Sequence, residues 1–368
     1  MRLAALELVN FRLWEDLRLS LPQGNVALVG PNATGKTAIL EAVWYAATLG
    51  SHRASGDSVM VRSGQSSAII RVSIDHGGRT DLVELELVTQ GRARTKLGGS
   101  PVARRRDVLG TVRASLFAPE RVAVVRGDPG ERRRFVDELL VQLHPRFHAV
   151  IREYERAVRQ RNALLREAGG RSTPGLDAWD EAVAVPGGEL AAGRADAIAM
   201  LAPAASDAYR SVGGERALAA RYAPKLAPPG AEGTAEEWSR VIREGLAARR
   251  SDELARGTTL VGPHRDDVEL TIGALPARTH ASQGEAWLAA LALVLGMHRV
   301  LAGRAGSEPI VLLDDAFSLL DPDRRERFSL ALPPDAQVLV TASDERELPM
   351  SQRWGLGRVN VRGVSFDG

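Results

Sequence analysis

Residues 30–37, GPNATGKT, combine glycine, lysine and threonine at a spacing that binds phosphate. The segment fits G-x-x-x-x-G-K-[ST], in which backbone N–H groups cradle phosphates, the lysine reaches the β- and γ-phosphates and the hydroxyl binds Mg²⁺. Apolar residues precede it and a helical pattern follows, so the loop is predicted at a helix N-terminus, where anions bind. The sequence therefore predicts a nucleoside triphosphate site. Its residues are Gly30, Pro31, Asn32, Ala33, Thr34, Gly35, Lys36 and Thr37.

Lysine is rare in this chain, which makes its presence in the loop informative. Of the 48 lysine and arginine residues only three are lysines, namely Lys36, Lys96 and Lys225. Lysine carries a compact charge on a flexible stem, whereas arginine presents a rigid planar fork. A chain that otherwise uses arginine has therefore kept lysine where a compact ammonium group is needed.

Two adjacent carboxylates, Asp314 and Asp315, follow the apolar residues 310–313. Such a run predicts a parallel strand covered on both faces, and open α/β sheets bind ligands at the carboxyl ends of their strands. Asp314 is predicted to hold Mg²⁺ together with Thr37, and Asp315 to orient or deprotonate water beside the γ-phosphate. Taken alone, the same two residues could also be acids that end a strand and bind no metal.

A third short motif, SQGE at residues 282–285, begins 32 residues before Asp314. A serine followed three residues later by a glutamate predicts a capping box at the start of a helix. A helix N-terminus that contains a glycine can also bind an anion. The two interpretations are compatible.

The surrounding pattern predicts the elements that position these motifs. Residues 1–90 read mostly as strands, with one helix after the phosphate-binding loop. The middle of the chain carries apolar residues at helical spacing without a long heptad repeat. Strand character returns at residues 258–276, and glycine- and proline-rich stretches such as VPGGE at 185–189 are predicted to link helices.

Composition restricts the class of protein. The 368 residues are 44% hydrophobic and 26% charged, as in soluble globular proteins. There are no cysteines, which excludes disulfides and cysteine zinc sites. No apolar run approaches the roughly 20 residues that span a bilayer, and the N-terminus lacks a signal-peptide pattern. We therefore expect a cytoplasmic protein without a membrane partner.

Positive charge is concentrated in one segment although the whole chain has a net charge of only +2. Residues 91–134 contain 12 basic and four acidic side chains, a local net charge of +8. A basic stretch of this size is a candidate surface for a nucleic-acid backbone, with Arg104, Arg105 and Arg106 as the predicted DNA contacts. An ordinary solvated loop face is the alternative.

The separation of 278 residues between Lys36 and Asp314 resembles that of the ABC-type ATPases of chromosome maintenance and repair. Within that superfamily the chain is identified as a member of the RecF family of recombination mediators. The matching segments follow the family's order and cover nearly the whole chain. They include NFRLWEDLRLSL, GPNATGKT, LGSHR, LFAPERVAVVRGDPGERRRFVDELL, YERAVRQRNALLRE, GPHRDDVEL, ASQGE and VLLDDAFSLLD.

The resemblance implies an α/β fold, an ABC-type ATPase head with an inserted helical domain and no long coiled coil. The head would comprise residues 1–125 and 256–368, and the insertion residues 126–255. ATP would bridge a homodimer, because Ser282 and Gly284 would contact the γ-phosphate held by the opposite subunit.

Further site residues follow from the resemblance. Glu120 would lie near a metal and water contact, so Asp315, Lys36 and Glu120 are the predicted catalytic residues. Residues 318–321 would form the loop after the acidic pair. Residues 341–343 occupy the position at which many ABC ATPases have a histidine that contacts the γ-phosphate, the switch histidine. Glu285 replaces the usual glutamine.

The function implied is ATP-gated DNA binding in recombination, DNA repair, replication restart and the SOS response to DNA damage. ATP and Mg²⁺ would be the cofactors, and weak, DNA-stimulated ATP hydrolysis would act as a switch. The dimer would clamp double-stranded DNA at a junction with a single-stranded gap. A RecR-type mediator protein would then help to load the recombinase.

Two other functions fit parts of the sequence. The ATP-binding subunit of a transporter would share the nucleotide motifs, but it needs a membrane partner and does not explain the basic segment. A P-loop small-molecule kinase would share the phosphate-binding loop, but the serine motif and the distant acidic pair argue against it.

Overall fold

The computed structural model describes residues 1–54, 56–228, 233–318, 320–360 and 362–366. Leu319, in the predicted loop after the acidic pair, and residues 229–232, in the middle of the chain, lie outside the described residues.

The chain forms two compact units. Unit 1 comprises Met1–Val122, Ala204–Leu218 and Ala281–Gly368, and unit 2 comprises Ala123–Pro203 and Ala219–His280.

Strands and helices are numbered along the chain. The strands are β1 (Arg2–Phe11), β2 (Trp14–Ser20), β3 (Asn25–Val29), β4 (Ser67–Asp75), β5 (Thr80–Val88), β6 (Thr95–Leu97), β7 (Ser100–Pro101), β8 (Ala114–Phe117), β9 (Leu218–Ala223), β10 (Asp267–Ile272), β11 (Leu275–Pro276), β12 (Ile310–Leu313), β13 (Val338–Ala342), β14 (Trp354–Asn360) and β15 (Gly363–Phe366). The helices are α1 (Lys36–Thr48), α2 (Ala123–Arg126), α3 (Pro129–Leu143), α4 (Phe147–Ala168), α5 (Leu176–Ser211), α6 (Ala235–Ala248), α7 (Arg250–Arg256), α8 (Ala277–His280), α9 (Gln283–Ala305) and α10 (Pro322–Ala331).

Unit 1 contains two six-stranded sheets. The antiparallel sheet has the order β2-β1-β4-β5-β6-β7, and β4 buries every second residue, as expected for a sheet with one solvated face. The second sheet has the order β15-β14-β3-β13-β12-β8. Its strands from β14 to β8 run parallel, and β12 and β13 are buried throughout, as the apolar runs predict.

Helix α1 contacts strands of both sheets, including β4 of the antiparallel sheet and β8 of the second sheet. Thr37 is its only residue that is not buried. Because α1 is enclosed in this way, its N-terminus and the preceding loop are held in a fixed position at the end of β3.

Helix α9 is a second buried helix of unit 1. The segment Gln283–Arg304 is long and apolar enough to cross a membrane, but 83% of its most apolar stretch is buried inside the protein. His298 and Arg299 interrupt its apolar sequence. A helix that is apolar on all sides is expected in the core of a large protein.

Unit 2 contains helices and a three-stranded sheet of order β11-β10-β9. Helix α5 runs through residues 185–189, where the sequence predicts a linker. That prediction is wrong because the glycines allow close packing. A Cβ on Gly188 would lie 2.1 Å from the hydroxyl oxygen of Ser239, and one on Gly187 would lie 3.0 Å from the ring of Tyr154. At 36 residues α5 is the longest helix in the described part of the chain, which contains no extended coiled coil.

The unit boundaries differ from the predicted domain boundaries after residue 255. Residues 256–280 belong to unit 2 rather than to the predicted head. Arg132 donates hydrogen bonds of 2.7 and 2.9 Å to the carboxylate of Asp267, and these bonds hold the segment against α3.

A second difference concerns residues 204–218, which belong to unit 1 rather than to the predicted insertion. The end of α5 packs closely on α9, since a Cβ on Gly296 would lie 2.8 Å from the nitrogen of Ala205. The assignment of an ATPase head and an inserted domain to these ranges stays a prediction.

Candidate functional site

The predicted phosphate-binding loop lies between β3 and α1. The hydroxyl of Thr34 donates a 2.8 Å hydrogen bond to the carbonyl of Pro31 and closes the loop. Gly30 has no space for a side chain, because a Cβ would lie 2.2 Å from the carbonyl oxygen of Val359. No side chain caps the N-terminus of α1, so its first N–H groups remain available to an anion.

Trp14 holds the loop although it lies outside the predicted nucleotide-binding motifs. This residue begins β2 and is 2% exposed, and its indole N–H donates a 3.3 Å hydrogen bond to the carbonyl of Gly35. Gly35 has φ 98°, and a Cβ there would lie 2.7 Å from the indole ring. The sequence gives no signal for this role, because Trp14 reads as an ordinary apolar strand residue.

Lys36 lies inside the loop and is 5% exposed. Its ammonium group donates hydrogen bonds of 2.6 Å to the carbonyl of Gly30 and 2.9 Å to that of Pro31. Burial lowers the pKa of Lys36, while the charges of Asp315 and Asp314 act in the opposite direction. These short contacts suit a compact cation.

Thr37 and Asp314, 277 positions apart in the sequence, meet at the carboxyl ends of the parallel strands. The hydroxyl of Thr37 donates a 3.0 Å hydrogen bond to Asp314 Oδ1. Thr341, on the intervening strand β13, donates a 2.6 Å hydrogen bond to the same oxygen. The structure thus brings together both predicted metal ligands and adds a threonine.

Asp314 is 3% exposed, and burial raises its pKa to about 6, with a smaller contribution from the charge of Asp315. A divalent cation would stabilise the ionised form of such a carboxylate, so the site fits Mg²⁺. No group of three or more His, Cys, Asp or Glu side chains in the described ranges could hold a metal. Phosphate or water oxygens would have to complete the coordination.

Asp315 directly follows in an unusual backbone conformation, with φ 45°. Its N–H donates a 2.9 Å hydrogen bond to the hydroxyl oxygen of Thr341, which fixes the turn. Burial raises the pKa of Asp315, and the charge of Lys36 opposes this effect. Asp315, Lys36 and Thr37 line one cavity of about 550 Å³, a size typical of small-molecule sites.

Glu120 lies in a 3₁₀ turn, and its half-exposed carboxylate forms a 3.3 Å ion pair with Arg53, a residue that lines the same cavity. Its charge makes a small contribution to the raised pKa of both Asp314 and Asp315. The structure therefore places Glu120 at the edge of the cavity that Asp315 and Lys36, the other two predicted catalytic residues, line.

The SQGE motif forms the predicted capping box at the start of α9. The hydroxyl of Ser282 accepts a 3.2 Å hydrogen bond from the N–H of Glu285, whose carboxylate accepts a 2.9 Å bond from the N–H of Ser282. Glu285 also forms a hydrogen-bonded ion pair with Arg216. Ser282 is exposed and Gly284 is half-buried.

The expected position of a switch histidine is occupied by a threonine, an alanine and a serine. Thr341 binds both aspartates as described, and the Ser343 hydroxyl donates a hydrogen bond to the carboxylate of Glu347. Glu347 is close enough for its charge to raise the pKa values of Lys36 and Asp315. The sequence pattern does not indicate Glu347, because it belongs to a short 3₁₀ turn outside every motif.

The three arginines predicted to contact DNA have different environments. The guanidinium of Arg105 forms a 2.5 Å ion pair with Asp57 and lies over the ring of Tyr45. Arg104 is exposed and Arg106 is half-buried, and neither forms an ion pair with another residue that the structure describes. Arg104 and Arg106 are therefore more accessible to an external phosphate than Arg105.

The family model that matches this chain and two proteins similar to it in sequence all carry the name RecF. The model of the RecF/RecN/SMC N-terminal domain matches residues 2–356. The chain is 45% identical to the DNA replication and repair protein RecF of Kineococcus radiotolerans, over 96% of this chain and 95% of that protein. It is 46% identical to the protein of the same name from Frankia alni, over 95% of each chain.

Solved structures show the same fold. The recombination mediator protein RecF-ATPrS in the RecFOR pathway superposes with a TM-score of 0.90 at 22% identity, covering 100% of this chain and 98% of that chain. RecF-ATP gives a TM-score of 0.87, also at 22% identity, over 100% and 99% of the two chains. An Smc head bound to the winged-helix domain of ScpA gives 0.56 at 16% identity, over 100% and 98%. The predicted ABC-type ATPase fold is confirmed.

Proposed function

The chain belongs to the RecF family within the ABC/SMC ATPase superfamily, and we propose that it is an ATP-dependent DNA-binding recombination mediator of DNA replication and repair. ATP binding is supported by the RecF-ATP structure with the same fold and by the loop geometry. Weak ATP hydrolysis, stimulated by DNA, acts as a switch in this proposal.

The hydrogen bond between Thr37 and Asp314 is the observation that carries the proposal. It joins the phosphate-binding loop to the carboxyl end of β12, so one cavity can hold the phosphates and a cation together. Residues 30–37 bind the phosphates, and Thr37 and Asp314 hold Mg²⁺, which when bound neutralises phosphate charge.

Asp315 is the proposed residue that orients or deprotonates the attacking water. It lines the cavity beside Lys36, and its turn is fixed by Thr341. Glu120 is near enough to influence the same carboxylates and is the proposed secondary contact to metal or water. Lys36 supplies positive charge for the phosphates.

ATP is proposed to join two copies of the chain in a two-fold symmetric dimer. Ser282 and Gly284, at the N-terminus of α9, contact the γ-phosphate held by the other copy. ATP can drive this association only through its higher affinity for the dimer than for the monomer.

The dimer is proposed to act in the cytoplasm on double-stranded DNA next to a single-stranded gap. Arg104 and Arg106 contact phosphates, and Arg105 mainly holds the segment through Asp57. A RecR-type protein is the proposed partner, in keeping with the RecFOR pathway of the structures described above. Together they help to load a recombinase.

The dimer can be tested with two substitutions of one residue. Ser282→Arg introduces a bulky side chain, whereas Ser282→Asp keeps an effective N-cap but places a negative charge at the proposed γ-phosphate contact. Both should bind ATP as monomers with nearly normal affinity and should form no ATP-dependent dimers. Sedimentation velocity in ADP and in ATP, with and without DNA, measures the change.

Ser63→Arg is the matched control, because Ser63 is exposed in a loop of the same unit. It should dimerise like the wild type. Normal ATP-dependent dimers of Ser282→Asp would contradict the proposed contact.

A further inference from the structure

Glu285 places a carboxylate in the first turn of α9, three residues after Ser282. Hydrogen bonds from Arg216 and from the N–H of Ser282 lower the pKa of Glu285 to about 2, so it is ionised at neutral pH. An anion at a helix N-terminus stabilises the helix. The same charge opposes the approach of a second anion, including the γ-phosphate in the proposed dimer.

Arg216 is positioned by the turn that ends α5. Gly213 has φ 93°, and the N–H of Gly214 donates a 2.8 Å hydrogen bond to the carbonyl of Tyr209. A Cβ on Gly214 would lie 2.3 Å from the ring of Tyr209, so the turn is closed against the helix. This geometry presents Arg216 to Glu285 from outside α9.

Another arginine also lies near this end of α9. Arg324 lies over the start of α9, with its Nη1 atom 3.2 Å from the position of a Cβ on Gly284. Arg324 is paired with Asp321 at 3.4 Å, whereas Arg216 is paired with Glu285, so loss of Arg216 would remove the ion-pair partner of Glu285.

We propose that Arg216 is a positioning residue that neutralises Glu285 and thereby allows the N-terminus of α9 to accept the γ-phosphate of ATP held by a second copy of this chain. The inference rests on the proposed ATP-dependent dimer. Arg216 lies in the turn after α5, outside all nucleotide motifs. In this proposal it determines whether a motif that carries a glutamate, Glu285, can complete the ATP site of the second copy.

A double substitution separates neutralisation from direct phosphate contact. Arg216→Ala should raise the dissociation constant of the ATP-bound dimer by about tenfold, equivalent to about 1.4 kcal/mol, without changing ATP binding to the monomer. Glu285→Gln removes the charge but keeps a capping side chain. The double variant should therefore regain dimerisation to within about twofold of wild type, because the unpaired charge is absent.

The measurement is sedimentation velocity over a range of protein concentrations, with Mg²⁺ and a non-hydrolysable ATP analogue. Arg210→Ala is the matched control, because Arg210 is exposed near the same turn and pairs with Asp207 instead. Thermal unfolding of every variant checks that unit 1 is intact.

The outcomes discriminate clearly. Normal dimerisation of Arg216→Ala would overturn the proposal for Arg216 and leave the proposed function intact. A double variant as weak as Arg216→Ala would overturn neutralisation, since Arg216 would then act directly on the phosphate or the partner. A wild-type protein without ATP-dependent dimers would remove the proposed dimer and this inference with it.

Discussion

The environment of Lys36 shows why an arginine-rich chain uses lysine at this residue. The ammonium group fits between two loop carbonyls at 2.6 and 2.9 Å, and its side chain is almost fully buried. A guanidinium is larger, planar and rigid. It would have to displace the loop or leave the carbonyls without a donor.

We expect Lys36→Arg to weaken ATP binding or hydrolysis at least tenfold although the charge is kept, a change of about 1.4 kcal/mol or more. Nucleotide titration and steady-state ATPase assays measure both effects. Lys96→Arg, on the partly exposed strand β6, is the control and should behave like wild type. Wild-type values for Lys36→Arg would show that a compact cation is not required.

Sequence patterns correctly predicted those strands and helix ends that are determined by residues close together in the chain. The apolar run before Asp314 predicted a buried strand, and the serine motif predicted the capped start of α9. The helix through Gly187 and Gly188 was missed because these glycines pack against distant side chains, and sequence spacing does not contain that contact.

The candidate site shows the same limit. The motif letters predicted that Thr37 and Asp314 would meet, and the structure brings them within hydrogen-bond distance. The contacts of Trp14 and Arg216 with these motifs were not predictable, because each joins two separate segments of the chain and no local spacing links those segments.

The segment before β10 contains a histidine that should make unit 2 sensitive to acid. His264 Nδ1 lies 2.5 Å from the hydroxyl of Tyr154, and Nε2 lies 3.2 Å from the carbonyl of Thr259. Burial, together with nearby arginines, lowers the pKa of His264 to about 4. Between about pH 6.5 and 4 the unfolded chain therefore binds a proton that the folded chain does not, and stability falls as pH falls.

This histidine should remove about 2 kcal/mol of the free energy of unfolding between pH 7 and pH 5. His264→Asn keeps an acceptor for Tyr154 but does not titrate, so its stability should depend less on pH by about that amount. Urea unfolding at both pH values, followed by circular dichroism, measures the difference. The exposed His280→Asn serves as the control, and an equal pH dependence of His264→Asn and wild type would refute the assignment.

At the scale of the whole molecule, DNA binding should depend on Arg104 and Arg106. Each phosphate contact that is lost should reduce the slope of log K against log salt by about one unit. Arg104→Ala combined with Arg106→Ala should therefore lower the slope by about two units for duplex DNA, measured by fluorescence anisotropy at several salt concentrations. Arg240→Ala, at an exposed ion pair of α6, is the control. An unchanged slope in the double variant would place the DNA surface elsewhere.

The lifetime of the whole assembly on DNA should depend on Asp315. Its carboxylate is one methylene shorter than a glutamate, and water positioning is sensitive to such distances. We therefore expect slow hydrolysis that times the opening of the dimer.

Asp315→Asn should still bind Mg²⁺ and ATP, because Lys36, Thr37 and Asp314 remain, and it should slow single-turnover hydrolysis by roughly 10²-fold. The DNA-bound dimer should then accumulate and persist, because closure no longer ends in hydrolysis. Dimer lifetime on duplex DNA after ATP addition, measured beside hydrolysis, tests both consequences, and the exposed Asp323→Asn is the control. Hydrolysis by Asp315→Asn at the wild-type rate would exclude Asp315 as the residue that positions water, and the neighbouring carboxylate of Glu120 would become the next candidate.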